Sequence, residues 1–173
     1  MRKINLLVIH CTATQNGLFI PVEIVRGWHL QRGFTDIGYH YLIAPDGALL
    51  AGRPEELIGA HAKGFNAHSL SISLEGGLGG SWRNNTGRYT LEAWHTLRVW
   101  IELNLQRFPG SQVKGHRELS PDLDKNGIVE PEEWVKTCPA FDVPTWLKNK
   151  YLPDSQNVFT PPSIPHPGGP YDS

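Results

Sequence analysis

The sequence predicts a single domain of the α/β (α+β) class, in which a central mixed β-sheet of about five strands is flanked by helices. Chain length is the first reason, because 173 residues suffice for one hydrophobic core and are few for two. The second reason is the order of the patterns. A continuous apolar run comes first, a segment with helical periodicity follows it, and strand-like runs then alternate with a long amphipathic segment.

Four segments have the composition or the alternation of β-strands. The first, INLLVIHCTA, is apolar throughout, which is typical of a central strand buried on both faces. The second contains Pro45-Asp46-Gly47 between two apolar runs, which indicates a hairpin of two strands. The predicted strand segments are residues 4–13, 39–53 (the hairpin), 69–77 and 111–119.

Three segments are predicted to be helices. The first has Pro21 near its start and Gly33 at its end, which are favoured positions for both residue types. The longest places its apolar residues on one stripe and has Thr90 as its N-cap. The predicted helices are residues 21–33, 90–108 and 143–151.

The domain is expected to span residues 1–152, with an insertion that resembles a calcium loop over residues 122–133. Residues 153–173 are rich in proline, glycine and serine and contain few apolar side chains. Such a composition packs poorly, so we expect a tail that is extended along the surface or mobile.

Charge and hydropathy exclude several partners. The 16 basic and 17 acidic residues leave no electrostatic footprint for nucleic acid or for an anionic membrane. No apolar segment approaches the length of a membrane span. The run INLLVI is too short for the core of a secretion signal, so we expect no signal peptide. Cys11 and Cys138 are then expected to remain thiols that serve packing or metal binding.

Two histidines and one cysteine form a candidate metal site. His10 ends the first predicted strand, His116 lies in the last one, and Cys138 follows in VKTCPAF. Two histidines and a thiolate are a known catalytic zinc set with an open fourth position. The chain contains eight histidines, so spacing alone leaves open whether these three residues are ligands or ordinary core and surface residues.

The segment DLDKNGIVEPEE is a second candidate metal site. It has oxygen-bearing side chains at positions 1, 3, 5, 9 and 12 of a calcium loop and a glycine at position 6. Pro131 falls where an exiting helix would begin, but no helix is predicted before the loop. The alternative is a polar surface loop whose Asp, Asn and Gly residues serve the turn. The predicted calcium ligands are the side chains of Asp122, Asp124, Asn126 and Glu133, the Ile128 carbonyl, and Glu130 directly or through water.

Several motifs occur in one order along residues 4–148. They are VIHCTAT, GFTDIGYHYLIAPDG, GAHAKGFNAHSLSISLEGG, GHREL and VKTCPAFD. Together they resemble the type 2 N-acetylmuramoyl-L-alanine amidases, specifically the T7 lysozyme-like phage endolysins, which are related to peptidoglycan recognition proteins. The resemblance implies the T7 lysozyme-like amidase fold. It also implies hydrolysis of the amide bond between N-acetylmuramic acid and L-alanine in bacterial peptidoglycan.

The resemblance assigns a role to five residues. It implies that His10, His116 and Cys138 hold zinc, and that Tyr39 of the GYH motif and Lys136 are catalytic. Zinc activates water as a nucleophile at neutral pH, so no serine or cysteine nucleophile is needed. Without the resemblance, Tyr39 would be interpreted as a packed strand residue and Lys136 as a solvated lysine.

The loop GAHAKGFNAH is implied to line the substrate groove, with His61, Lys63 and Asn66 as contacts for sugar or stem peptide.

Related recognition proteins that only bind peptidoglycan typically lack the ligand cysteine, so Cys138 favours an enzyme. We expect a monomeric phage endolysin, made in the host cytoplasm and released to the wall by another protein. The alternatives are a non-catalytic peptidoglycan receptor, a bacterial autolysin or toxin of the same fold, and a calcium-regulated binding module.

Overall fold

The computed structural model describes residues 2–78 and 87–161. It contains one mixed sheet in the order β3-β2-β4-β1-β5. The central strand pairs in parallel with a strand on each side, and among the described strands only the edge strand β3 runs antiparallel to its neighbour. The strands are β1 (Leu6–Cys11), β2 (Tyr41–Ile43), β3 (Leu49–Ala51), β4 (Ser69–Leu74) and β5 (Gln112–Gly115).

Helices cover the sheet, and the three helices predicted over residues 21–33, 90–108 and 143–151 are confirmed within a few residues at each end. In the longest helix, the Thr90 hydroxyl accepts a hydrogen bond from the Ala93 N–H and so caps the first turn. The last helix is capped in the same way by Asp142, whose carboxylate accepts from the Thr145 N–H. The helices are α1 (Val22–Gln31), α2 (Leu91–Arg107) and α3 (Val143–Lys148).

The core explains why the central strands are apolar throughout. All six residues of β1 and all six of β4 are buried, as expected for parallel strands that are covered on both faces. The main apolar cluster joins these strands to Leu97 and Ile101 of α2 and to Trp146 of α3. A smaller cluster joins Val25 of α1 to Leu42 of β2. The fold class predicted from the sequence is therefore confirmed.

The last predicted strand is wrong beyond Gly115. Pairing with β1 ends where Ile9 meets Gly115, and residues His116–Leu119 form a 3-10 helix. The Glu118 carboxylate accepts a hydrogen bond from the Gly115 N–H at 2.8 Å, which closes the turn and ends the strand. His116 is therefore the first residue after the strand, at the same edge of the sheet as the end of β1.

The exiting helix predicted at Pro131 is also wrong. Within the described ranges, no helix lies between residues 120 and 142. The Trp134 indole N–H donates back to the Val129 carbonyl, and the Val135 N–H donates to the Ser120 hydroxyl. These contacts fold the segment back on itself, so its backbone forms a turn after Pro131 and not a helix.

The first residues of the predicted tail are attached to the domain. Asn157 is buried, its carbonyl accepts from the Tyr89 N–H, and its side chain donates to the Gly87 carbonyl. The Phe159 N–H donates to the Tyr89 carbonyl. Hydrogen bonds thus anchor this part of the predicted tail to the domain, while most of residues 153–161 remain exposed. Residues 162–173 lie outside the described residues, and the domain boundary at residue 152 stays a prediction.

None of the helices in residues 2–78 and 87–161 combines the length and the apolarity that a membrane-spanning helix requires.

Candidate metal centre and surrounding groups

Three ligand-type side chains meet at the carboxyl ends of β1 and β5. His10 lies in β1, His116 follows β5 directly, and Cys138 is held beside them because its carbonyl accepts from the Arg117 N–H at 2.9 Å. The candidate ligand atoms of the three residues all lie within 4.8 Å of one another. Their distances and donor types fit a zinc ion, which binds imidazole nitrogen and thiolate sulfur in a tetrahedral arrangement.

The electrostatics of the two histidines suit metal binding. Burial, followed by the proximity of His61, His116 and Lys136, holds the pKa of His10 well below its usual range. Burial and the charge of Lys136 lower the pKa of His116 to about 4. Both rings are therefore neutral at pH 7, which is the state in which an imidazole nitrogen can bind a metal.

Cys138 has a different environment. Burial raises the pKa of its thiol well above the ordinary value, and Lys136 is among the groups that act in the opposite direction. A bound cation lowers a thiol pKa strongly, since a coordinating thiol is deprotonated. The neighbouring Cys11 is buried and forms no disulfide, in agreement with the expectation that it remains a thiol.

The two residues assigned to catalysis lie beside these ligands. The ring centroid of Tyr39 is 5.0 Å from that of His10. Burial, followed by the proximity of Cys138 and Cys11, raises the pKa of the Tyr39 phenol, so that it remains protonated at neutral pH. Lys136 is exposed and lines a cavity of about 280 Å³ together with His116. The arrangement places one neutral donor and one cation next to the candidate metal ligands.

The three predicted substrate contacts have different positions. Lys63 is exposed and lines the same cavity as His116 and Lys136. His61 is only 8% exposed, and its Nδ1 lies 3.1 Å from Nε2 of His10. The Asn66 side-chain oxygen accepts hydrogen bonds from the backbone N–H groups of His61 and Ala62. Lys63 is thus the one of the three whose side chain is free to meet a ligand in the cavity.

The calcium-like segment brings three carboxylates together. Ligand oxygens of Asp122, Asp124 and Glu133 lie within 4.8 Å of one another. Gly127 adopts a φ of 89°, as the sharp turn requires, and its N–H donates to Asp122. The second Asp122 oxygen, Oδ1, is buried and has no hydrogen-bond partner among the described residues. Of the other predicted ligands, the Asn126 side chain donates to both Asp124 and Glu130 and accepts from the Ile128 N–H.

Sequence reasoning missed two groups near the candidate centre. Ser69 lies at the start of β4 with its hydroxyl 3.1 Å from His61 Nε2. His29, on α1, accepts from the Gly38 N–H, and its ring centroid is 5.1 Å from that of Tyr39. Neither is signalled by local pattern, because their partners come from other elements of the fold.

Comparison with known proteins decides the family. The model of the N-acetylmuramoyl-L-alanine amidase family matches residues 1–140. The chain belongs to this family. This amidase-family chain is 31% identical to the endolysin of Escherichia phage T7 over 146 residues. The aligned part covers 84% of this chain and 87% of that protein.

Solved structures of the amidase family and its relatives have the same architecture. The N-acetylmuramoyl-L-alanine amidase LysC from Clostridium intestinale matches with a TM-score of 0.65 at 25% identity, over 86% of this chain and 87% of that one. Drosophila PGRP-LB matches with a TM-score of 0.59 at 22% identity, over 82% of this chain and 85% of that one, and it supports the fold alone. The predicted amidase fold is confirmed.

Proposed function

We propose that the protein is a zinc-dependent N-acetylmuramoyl-L-alanine amidase that cleaves the bond between N-acetylmuramic acid and the first L-alanine of the stem peptide. One observation carries the proposal: ligand atoms of His10, His116 and Cys138 lie within 4.8 Å of one another in a chain of the amidase family. Two imidazoles and one thiolate leave a fourth zinc position open, as in catalytic sites.

Zinc bound to these three residues would supply an activated water and polarise the carbonyl of the substrate. The surrounding side chains supply the remaining steps. Lys136 places a cation beside the carbonyl oxygen, which gains negative charge when the amide is attacked. Tyr39 stays protonated because burial raises its pKa, so it donates a hydrogen bond at the site. The leaving nitrogen needs a proton, and Tyr39 and Lys136 both carry one.

The substrate of this site is bacterial peptidoglycan. Lys63 and Lys136 are exposed and line the cavity beside His116, so two cations would lie next to a glycan peptide bound there. Stem peptides carry free carboxylates, and these cations complement them. The match to the phage T7 endolysin supports a phage protein. In this proposal it is made in the bacterial cytoplasm and acts as a monomer on the wall after release. A bacterial autolysin or toxin would use the same site.

The first test is lysis of purified bacterial walls by zinc-loaded protein, followed as loss of turbidity. We expect lysis with zinc, its loss after chelation, and its return when zinc is restored. The matched control is the same protein kept in the chelator-free buffer throughout. Tight binding to the walls without loss of turbidity at any zinc concentration would contradict the proposed amidase activity. It would favour a non-catalytic peptidoglycan receptor.

We further propose that residues 122–133 bind one calcium ion, which braces the segment that carries Lys136 and Cys138. The convergence of Asp122, Asp124 and Glu133 and the unpartnered Asp122 Oδ1 support this. The predicted ligands Asn126, Ile128 and Glu130 complete the set. Ordering a loop costs conformational entropy at each residue, and a bound ion offsets that cost.

Calcium is expected to raise the melting temperature of the zinc-loaded protein, because it binds the folded state alone. The measurement is the difference in melting temperature between saturating calcium and calcium-free buffer at fixed free zinc. Asp122→Ala is expected to remove this difference, whereas Glu132→Ala, an exposed neighbour, is expected to keep it. Asp122 and Glu133 both accept backbone hydrogen bonds without any metal, so a variant at either position also changes stability in calcium-free buffer. The quantity compared is therefore the calcium-dependent difference in melting temperature. If calcium does not change the melting temperature of the wild type, the segment is a polar surface loop and the calcium proposal is contradicted.

A further inference from the structure

We propose that His61 is a positioning residue that fixes the orientation and tautomer of the metal ligand His10, and that Ser69 fixes His61 in turn. The proposal rests on the proposed function, since it concerns how the zinc site is held. In this proposal His61 holds the ligand ring of His10 and does not make the direct substrate contact that the sequence predicted.

The three side chains form one hydrogen-bonded row. His10 Nδ1 lies 3.6 Å from Cys138 Sγ, on the side where the ligand atoms converge. On the other side of the same ring, His10 Nε2 lies 3.1 Å from His61 Nδ1. His61 Nε2 lies 3.1 Å from the Ser69 hydroxyl. His61 therefore contacts the back of the ligand ring, away from the nitrogen that faces Cys138.

This row permits one arrangement of protons when His10 Nδ1 is a ligand. That nitrogen must be unprotonated, so the ring proton of His10 is on Nε2 and is donated to His61 Nδ1. His61 then carries its own proton on Nε2 and donates it to the Ser69 oxygen. Metal-binding histidines generally donate their other N–H to a fixed acceptor, which holds the tautomer and the ring orientation.

The surroundings leave His61 little freedom. His10 and Ser69 are fully buried and His61 is 8% exposed, so water has little room to replace these bonds. The backbone of His61 is held by the Asn66 side-chain oxygen, which accepts from the N–H groups of His61 and Ala62 at 3.0 and 2.9 Å. Asn66 thus holds the loop that carries His61. Gly59 leaves space for the His61 ring, since a Cβ at that position would lie 2.6 Å from His61 Cδ2.

The test is the zinc dissociation constant, measured by competition with a chromophoric chelator. His61→Phe keeps a ring but offers no acceptor, and we expect zinc affinity to fall by about 10–100-fold. His61→Asn places an amide oxygen near the position of Nδ1, so it keeps the acceptor for His10 and is expected to restore most of the affinity. Ser69→Ala removes only the outer bond and is expected to have a smaller effect. His95→Ala, on the exposed face of α2, is the control.

A second readout separates positioning from general structural damage. In the zinc-loaded wild type, ¹⁵N chemical shifts of His10 are expected to show a protonated Nε2, and His61→Phe is expected to change the Nε2 signal. Unchanged zinc affinity in His61→Phe, with a raised KM for wall fragments, would overturn the proposal and restore a substrate contact. If His61→Phe does not fold, His61→Leu takes its place, because it also removes the acceptor for His10 Nε2. Wild-type zinc affinity in His61→Leu together with unchanged His10 shifts would then overturn the proposal. A wild type that binds no zinc would instead refute the proposed function.

Discussion

Cys138→Ser is expected to lose both bound zinc and wall lysis. Cys138 supplies the only sulfur of the three converging ligand atoms, and the two histidines that remain cannot hold zinc in a tetrahedral site. His116→Ala is expected to have the same result for the same reason. The measurements are zinc content by elemental analysis and the rate of turbidity loss.

Cys11→Ala is the matched control for this prediction. Cys11 is the neighbouring buried thiol, and its backbone N–H, which lies 3.1 Å from Cys138 Sγ, is unaffected by the substitution. The control is expected to keep its zinc and its lysis, with a modest loss of stability from the small cavity. Full lysis by zinc-loaded Cys138→Ser would show that the ligand assignment is wrong.

Lys136→Ala and Tyr39→Phe are expected to keep zinc and to lower turnover by about 10²-fold or more, the usual cost of removing one donor to a developing oxyanion. Neither side chain is among the converging ligand atoms, so metal content should not change. The measurement is kcat on soluble wall fragments at saturating zinc.

Lys148→Ala, an exposed lysine on α3, is the control for the removal of a positive charge. Its turnover is expected to match the wild type. Wild-type turnover in both Lys136→Ala and Tyr39→Phe would remove the assigned roles. Loss of zinc in either variant would show that the residue supports the metal site instead of the reaction.

The local sequence pattern correctly predicted strands and helices whose burial follows one regular pattern along their length. The strand β1 is buried on both faces and the helix α2 has one apolar stripe, so each carries its periodicity in its own residues. The segment after Gly115 was misassigned because one side-chain bond from Glu118 ends the strand. The attachment of Asn157 to the domain was not predicted, because asparagine is usually a surface residue. Here its side chain is buried and anchors the start of the tail.

The candidate metal ligands were predicted from the family resemblance, since spacing alone could not select them among eight histidines. The role of His61 could not be predicted in this way. Its partner His10 is 51 positions away, and the contact exists only because the loop before β4 folds over the end of β1. The family resemblance assigns this loop to the substrate groove, but its motif carries no information on which side chain turns towards His10.

The chemical identity of the bond that is cleaved tests the central claim most directly. Purified peptidoglycan is digested with zinc-loaded protein, and the newly exposed groups are identified by amino-terminal labelling and by a reducing-sugar assay. We predict a zinc-dependent increase in free amino groups on L-alanine, with intact glycan strands and no new reducing ends. New reducing ends, or new amino groups only on residues other than L-alanine, would contradict the account.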